Sequence, residues 1–147
     1  MRLGNIMAKK VVTVSRLDSM LEAAIKMRES NVGCLIVAQE RTVKGIITDR
    51  DLVVSCFGAG HNPQRCQVLD HMSTPVITGE PTMDILDASR LMTHKGIKRL
   101  PVVKDGELIG LVSFSDIAQA LEQPMHDVLV GVGAAQRSEV REPVSPF

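Results

Sequence analysis

Aromatic side chains are almost missing from this chain: among 147 residues there is no Trp, no Tyr and only three Phe. Stacking platforms of the kind that hold single-stranded nucleic acid are therefore absent, and the core must be aliphatic and Met-rich. Net charge is missing too. Lys plus Arg and Asp plus Glu each number 17, so the molecule exerts no long-range pull on nucleic acid or an anionic membrane. A DNA-coating role is excluded on that ground. Cysteine is scarce: Cys34, Cys56 and Cys66 form an odd set without tight spacing, which argues against a disulfide framework. Residues 1–10 lack the apolar run of a secretory signal. No apolar stretch approaches the roughly 18 residues needed to cross a bilayer. These absences predict a cytoplasmic protein with reduced thiols and no membrane partner. What is present is a globular composition, 44% hydrophobic and 23% charged, in a length suited to one compact domain or two small fused ones.

An internal repeat organises the chain. Shifted on itself by 65 positions, the sequence matches without a gap: Met7 on Met72, Val11 on Val76, Thr13 on Thr78, Leu21 on Leu86, Ala23 on Ala88, Met27 on Met92, Leu35 on Leu100, Val37 on Val102, Gly45 on Gly110 and Asp51 on Asp116. Each copy opens with a β-rich run, Val11–Val14 or Val76–Thr78. A helix follows, started by a Ser19-x-x-Glu22 capping box or its acidic variant Asp84-x-x-Asp87, and ended at Asn31 or Gly96, residue types that tolerate the left-handed conformation. Two strands come next, Val32–Ala38 with Val43–Thr48 and Ile97–Val103 with Leu108–Ser113. The second pair turns through Lys104-Asp105-Gly106-Glu107. Second helices over Leu52–Phe57 and Ile117–Leu121, capped by Asp49 and Ser115, complete β-α-β-β-α in each copy.

A unit of this size buries little of its own surface, so the predicted fold is α/β, with two repeats packed sheet to sheet about a pseudo-twofold axis. The boundaries are residues 1–60 for the first repeat, 61–67 for the linker, 68–122 for the second repeat and 123–147 for a tail that matches neither. Pro124 is expected to break the last helix.

The most informative element is Gly-apolar-apolar-(Thr/Ser)-x-x-Asp, found as Gly45-Ile46-Ile47-Thr48-Asp49-Arg50-Asp51 and Gly110-Leu111-Val112-Ser113-Phe114-Ser115-Asp116. It lies where a strand enters a helix. A hydroxyl there, with free amides in the first helical turn, suits an anion such as phosphate, and an Asp one turn in can accept two hydrogen bonds from a ribose diol. The same residues could simply cap the helix. By itself the motif favours neither reading.

Taken together with Asn5-Ile6-Met7 and Asp70-His71-Met72 before the first strands, and with Ile97-Lys98-Arg99-Leu100-Pro101-Val102-Val103, the duplicated motif resembles the tandem cystathionine-β-synthase (CBS) domain pair. Such pairs occur within larger proteins and as stand-alone bacterial CBS-domain proteins. The resemblance covers roughly residues 1 to 122. It implies a non-catalytic regulatory module that binds adenosine ligands between paired repeats, with Asp on ribose and Thr or Ser near phosphate. It further implies that each cleft joins the motif of one repeat to the first two strands of the other. The first site would then unite Ile47, Thr48, Arg50 and Asp51 with Ile77, Thr78, Lys98, Arg99, Leu100 and Pro101. The second, weaker site would unite Val112, Ser113, Ser115 and Asp116 with Val12, Thr13, Gly33, Cys34 and Leu35. Lys98 and Arg99 align with Gly33 and Cys34, so only the first site gains two cations, and these suit a phosphate chain. The expected ligand is AMP, ADP or ATP, bound as a regulatory molecule and not as a cofactor.

Other constellations carry less. Cys56, His61, Cys66 and His71 recur every five residues, but that spacing fits no common zinc finger, and Cys56 aligns with Leu121 on a helix face where core packing explains it. No metal site is expected. Gly131-Val132-Gly133 lacks the third glycine and the βαβ context of a dinucleotide loop. Nothing pairs Cys34 or Ser113 with a basic His94 or His126 as a nucleophile would need. The sequence therefore reads as an adenine-nucleotide-responsive sensor. Family resemblance also implies a homodimer formed through the helices, for which Met20, Met27, Met83 and Met92 could supply adaptable contacts; the protein target is unknown. A ligand-free scaffold of the same fold is the first alternative. A weak nucleic-acid module using Arg50, Lys98 and Arg99 is the second.

Overall fold

The computed structural model describes residues 1–139. The first repeat runs α1 (Leu3–Ile6), β1 (Thr13–Val14), α2 (Met20–Ser30), β2 (Cys34–Gln39) and β3 (Thr42–Thr48), and closes with a helical segment bonded i→i+5 over Asp51–Phe57. A single 3₁₀ turn, Val68–Asp70, leads into α3 (Ile85–Lys95), β4 (Arg99–Lys104), β5 (Glu107–Ser113) and α4 (Phe114–Glu139). At α2 and α3 the local signals act where expected with one exception: Asp84 caps α3 by accepting from the Leu86 amide at 2.8 Å, while the Asp87 carboxylate accepts from Arg90 and does not complete the expected box. Ser19 Oγ accepts from the Glu22 amide at 3.0 Å while the Ser19 amide donates to Glu22 Oε2 at 2.7 Å, and Asn31 and Gly96 end their helices at φ 52° and 66°. Asp105 and Gly106 both take positive φ, as a two-residue hairpin turn requires.

In the first sheet β1 lies parallel to β2 and β2 antiparallel to β3; the second sheet contains only the antiparallel pair β4–β5. The expected strand Val76–Thr78 is not formed; the pairing with β4 falls one residue later, as the single parallel bridge of Gly79 with Val102. Proline chemistry explains the loss. In the first repeat the Ile36 amide donates to the Val12 carbonyl at 3.2 Å, whereas the equivalent position in the second repeat is Pro101, which has no N–H to give.

The two repeats exchange their leading segments. Leu3 packs in the core of the second repeat with Ile85, Met92, Leu100 and Val112, while its counterpart Val68 packs in the first with Met20, Met27, Leu35 and Ile47. Backbone pairing repeats the exchange. Ala8 and Leu111 exchange amide–carbonyl bonds at 2.9 and 3.0 Å, and Ser73 and Ile46 do the same at 2.9 and 3.2 Å. The Met7 and Met72 side chains then lie over strand glycines of the opposite repeat: a Cβ on Gly110 would sit 2.5 Å from Met7 Sδ, and one on Gly45 would sit 2.6 Å from Met72 Sδ. Both glycines are there for close approach. The sheets meet along β3 and β5, where the Leu108 amide donates to the Arg41 carbonyl at 2.8 Å.

Three expectations are corrected. Pro124 does not break the last helix, which continues through it to Glu139. Side chains from Glu122 to Val132 are exposed, so water can satisfy the one carbonyl that proline orphans, and its φ is already helical. Residues 140–147 of the expected tail lie outside the described residues. Met20, Met27 and Met92 are buried in the two cores, and Met83 packs against the second, so they do not form the free dimer-forming face expected of them; at helical spacing they face the sheet. Thr48 and Ser113, not Asp49 and Ser115, cap the second helices, each hydroxyl accepting from the amide three residues on.

Candidate functional site

At the end of β3 the Thr48 amide and hydroxyl both donate to Asp51 Oδ2, at 2.9 and 3.0 Å, and Thr48 Oγ1 accepts from the Asp51 amide at 3.2 Å. Ser113 and Asp116 repeat this at the end of β5, with distances of 2.7, 2.8 and 3.3 Å. The motif is thus a closed hydroxyl–carboxylate pair. In the first repeat the remaining amides of the turn are also engaged, that of Asp49 by the Gly33 carbonyl at 2.9 Å and that of Arg50 by Asp49 Oδ1 at 2.8 Å. The expectation of free first-turn amides is therefore not met there. Any anion near Thr48 must be held by side-chain cations, not by the helix end.

Those cations border a cleft of about 480 Å³ between the repeats, within the range of small-molecule sites. The first repeat contributes Gly33, Cys34, Ile46, Thr48, Asp49 and Arg50. The second contributes Ser73, Pro75, Val76, Ile77, Gly96, Ile97, Lys98 and Arg99. The register explains the meeting: Cys34 pairs with Thr48 across the β2–β3 ladder, so the start of one strand lies beside the end of the next. The Ile46–Ser73 bridge then brings in the chain leading to Ile77. Gly33 is small because Asp49 lies over it; a Cβ there would be 2.7 Å from Asp49 Oδ2. The aliphatic lining is Ile46, Pro75, Val76, Ile77 and Ile97, and the polar groups are Thr48, Asp49, Arg50, Lys98 and Arg99. Burial pushes the Cys34 thiol up from its ordinary 9.0; the Arg99 guanidinium opposes this, and Asp49 and Asp51 add to it. Cys34 therefore sits among one cation and two carboxylates.

Of the first expected set, Thr48, Arg50, Ile77, Lys98 and Arg99 line this cleft, and Asp51 reaches it only through its bonds to Thr48. Ile47, Leu100 and Pro101 are buried. Thr78 lies instead in a separate pocket with Glu80 and Asp84. The second set is dispersed. Gly33 and Cys34 line the cleft just described, Leu35 and Val112 are core, and Val12 packs against the first core. Thr13 borders a separate groove with Lys9, Arg41 and Leu108, Ser115 is exposed, and Asp116 borders a shallow dip beside Ile6. Sequence reasoning passed over Ile46, Asp49, Ser73, Pro75, Val76, Gly96 and Ile97. Ser73 and Pro75 had no signal, since they follow the matched methionine and precede the matched strand. Asp49 had one, because it adjoins the motif.

The same fold gathers Cys56, Cys66 and His71 at the end of the Asp51–Phe57 segment, apart from the cleft lining. Among the described residues no helix is long and apolar enough to cross a membrane.

A family model described as the CBS domain matches residues 3–57 and 68–123. An uncharacterized protein of Methanopyrus kandleri is 43% identical over 118 residues, 79% of this chain and 60% of that one, so the match spans less than two thirds of that relative's length. The CBS domain-containing protein YhcV of Bacillus subtilis is 38% identical over 112 residues, covering 76% of this chain and 79% of its own. A crystal structure of Hypoxic Response Protein I with two coordinated zinc ions has a TM-score of 0.74 at 26% identity, covering 81% of this chain and 98% of that one. The curated Hypoxic response protein 1 of Mycobacterium tuberculosis is 28% identical over 131 residues, 88% of this chain and 90% of its own.

Proposed function

This chain belongs to the CBS-domain family, a regulatory CBS pair, and from that premise we propose that it is a non-catalytic sensor of adenosine nucleotides, AMP, ADP or ATP, bound in the cleft between its repeats. The observation that carries the reading is the composition of that cleft. Aliphatic lining from Ile46, Val76, Ile77 and Ile97 suits a planar base; Thr48 and the Asp49 carboxylate offer hydrogen bonds to a ribose; Arg50, Lys98 and Arg99 supply cations for phosphates. The chain as a whole carries no net charge, so the attraction for an anion is local to these three cations. Asp51 acts by holding Thr48. The protein is taken to work in a reducing cytoplasm, in keeping with three free thiols.

A sensor needs a second state or a partner that its ligand favours. Homodimerisation is part of the proposal, and with the methionines buried the contact falls to other apolar groups on the helices. Val53, Val54 and Phe57 on the Asp51–Phe57 segment are 63%, 51% and 75% exposed, and that segment begins at the Thr48–Asp51 pair beside the cleft.

Thermal shift with AMP, ADP, ATP, NAD, S-adenosylmethionine and GTP tests the reading. A ligand at ~100 times its Kd adds about 2.7 kcal/mol, several degrees for a chain of this size. The expected result is a shift with adenosine nucleotides that grows with phosphate number and collapses in Arg99→Ala. The closed Thr48–Asp51 pair favours one second reading, a ligand-free scaffold in which the motif serves only as a cap; the absence of any shift across the panel would establish it. Retention that falls steeply with salt on a nucleic-acid column would point instead to nucleic acid.

A further inference from the structure

Cys56, Cys66 and His71 each offer a ligand atom, all within 4.8 Å of one another, the one such cluster of His, Cys, Asp or Glu among the described residues. Three separate stretches of backbone bring them together. Cys56 comes from the end of the Asp51–Phe57 segment and is buried, Cys66 from the linker, and His71 from the residue after the Val68–Asp70 turn. The linker is itself held in place: the Cys66 carbonyl accepts from the Met20 amide at 2.8 Å, and the His61 amide donates to the Cys56 carbonyl at 3.0 Å. The His61 ring lies 5.6 Å from that of His71, centroid to centroid.

We propose that these residues form a zinc site, with the Sγ atoms of Cys56 and Cys66 and an imidazole nitrogen of His71 as ligands and His61 as the fourth. Two thiolates and two neutral imidazoles are the soft and borderline donors that select zinc over magnesium or calcium. Zn–S of about 2.3 Å and Zn–N of about 2.0 Å place tetrahedral ligand atoms roughly 3.3–3.8 Å apart, so the Cys56, Cys66 and His71 atoms need to close by about 1 Å and the His61 ring, outside that group, must turn toward them. On binding, each thiol gives its proton to solvent and its sulfur lone pair to the metal. The resulting Zn(Cys)₂(His)₂ unit is neutral, which suits the buried position of Cys56 where an uncompensated thiolate would not. The site would clamp the linker onto the first repeat. His71 stands two residues before Ser73, which lines the nucleotide cleft, so the clamp would also stiffen one cleft wall.

The test uses the full chain, reduced and stripped with a chelator, then titrated with Zn²⁺ against a chromophoric competitor and separately with Co²⁺. The expected result is one equivalent of tightly held metal per chain, thiolate-to-cobalt charge-transfer bands and the intense visible bands of a tetrahedral ion. Cys66→Ser and His71→Ala should each weaken zinc at least about tenfold, His61→Ala should lower the visible intensity, and His94→Ala should change nothing. Cys56 is core and its variant could fail to fold; Cys66 and His71 are only partly buried, and circular dichroism verifies their variants. The proposal is overturned by uptake no tighter than the competitor's, by metal held equally well in Cys66→Ser and His71→Ala, by cobalt spectra without a thiolate band, or by a Cys56–Cys66 disulfide whose reduction restores no metal binding.

Discussion

A Thr or Ser and an Asp three residues apart close on each other at both strand ends, and the consequence is energetic before it is functional. Each pair satisfies the amide of the hydroxyl residue and that of the Asp. Asp51→Ala and Asp116→Ala should therefore each cost about 1 kcal/mol of stability, the usual worth of a helix cap, read from urea denaturation with and without ligand. A variant as stable as wild type would show that the pairs contribute nothing to folding. Cysteine makes the other residue-scale prediction. Cys34 and Cys56 both have thiols raised above 9.0, chiefly by burial. The folded state then keeps protons that the unfolded chain releases, so stability is complete below pH 9 and falls as pH rises through the folded values. Chemical denaturation across that range should show the decline, smaller in Cys34→Ala.

Between elements, one imino acid decides how many strands each sheet has. Ile36 and Pro101 occupy equivalent places, and only Ile36 can donate to the preceding segment. Pro101→Ile should create an amide that pairs with the Ile77 carbonyl and exchanges slowly with solvent; fast exchange at that amide would place the cause of the missing strand elsewhere. The last helix gives a second prediction at this scale. Its side chains from Glu122 to Val132 are exposed and belong to neither core, so a chain ending at residue 122 should lose helical signal in circular dichroism while keeping its unfolding midpoint in urea. A fall of several tenths molar would mean that α4 is packed against something in solution.

Across the whole molecule, the exchange of leading segments makes the two repeats one folding unit. Leu3 and Val68 fill cores on opposite sides of the repeat boundary, and Met7 and Met72 cover glycines across it. Residues 1–60 expressed alone should therefore lack a cooperative transition, having lost Val68 and Met72. Within the full chain, Gly45→Ala and Gly110→Ala should each destabilise by about 1–3 kcal/mol through overpacking. Sedimentation of wild type against Phe57→Glu reads the proposed dimer at the same scale: a monomer in both would remove that contact, and a dimer in both would move it to another face.

The repeat, the Ser19 capping box, the left-handed ends at Asn31 and Gly96 and the second hairpin were legible in the sequence because each depends on residues within a few positions of one another or on a pattern written twice. Lys98 and Arg99 stood out for the same reason, as departures from the first copy. Whether the Thr48–Asp51 motif was cap or binding group was not legible, because that depends on which amides find partners, and the Gly33 carbonyl that engages the Asp49 amide is brought there by strand register. The leading segments, the cleft wall at Ser73 and Pro75, and the gathering of Cys56, Cys66 and His71 are likewise products of tertiary structure. No local pattern links the residues of the leading segments or the cleft wall, and the five-residue steps through Cys56, His61, Cys66 and His71 match no common ligand motif, so only the packing of leading segments and linker against the repeats brings each group together.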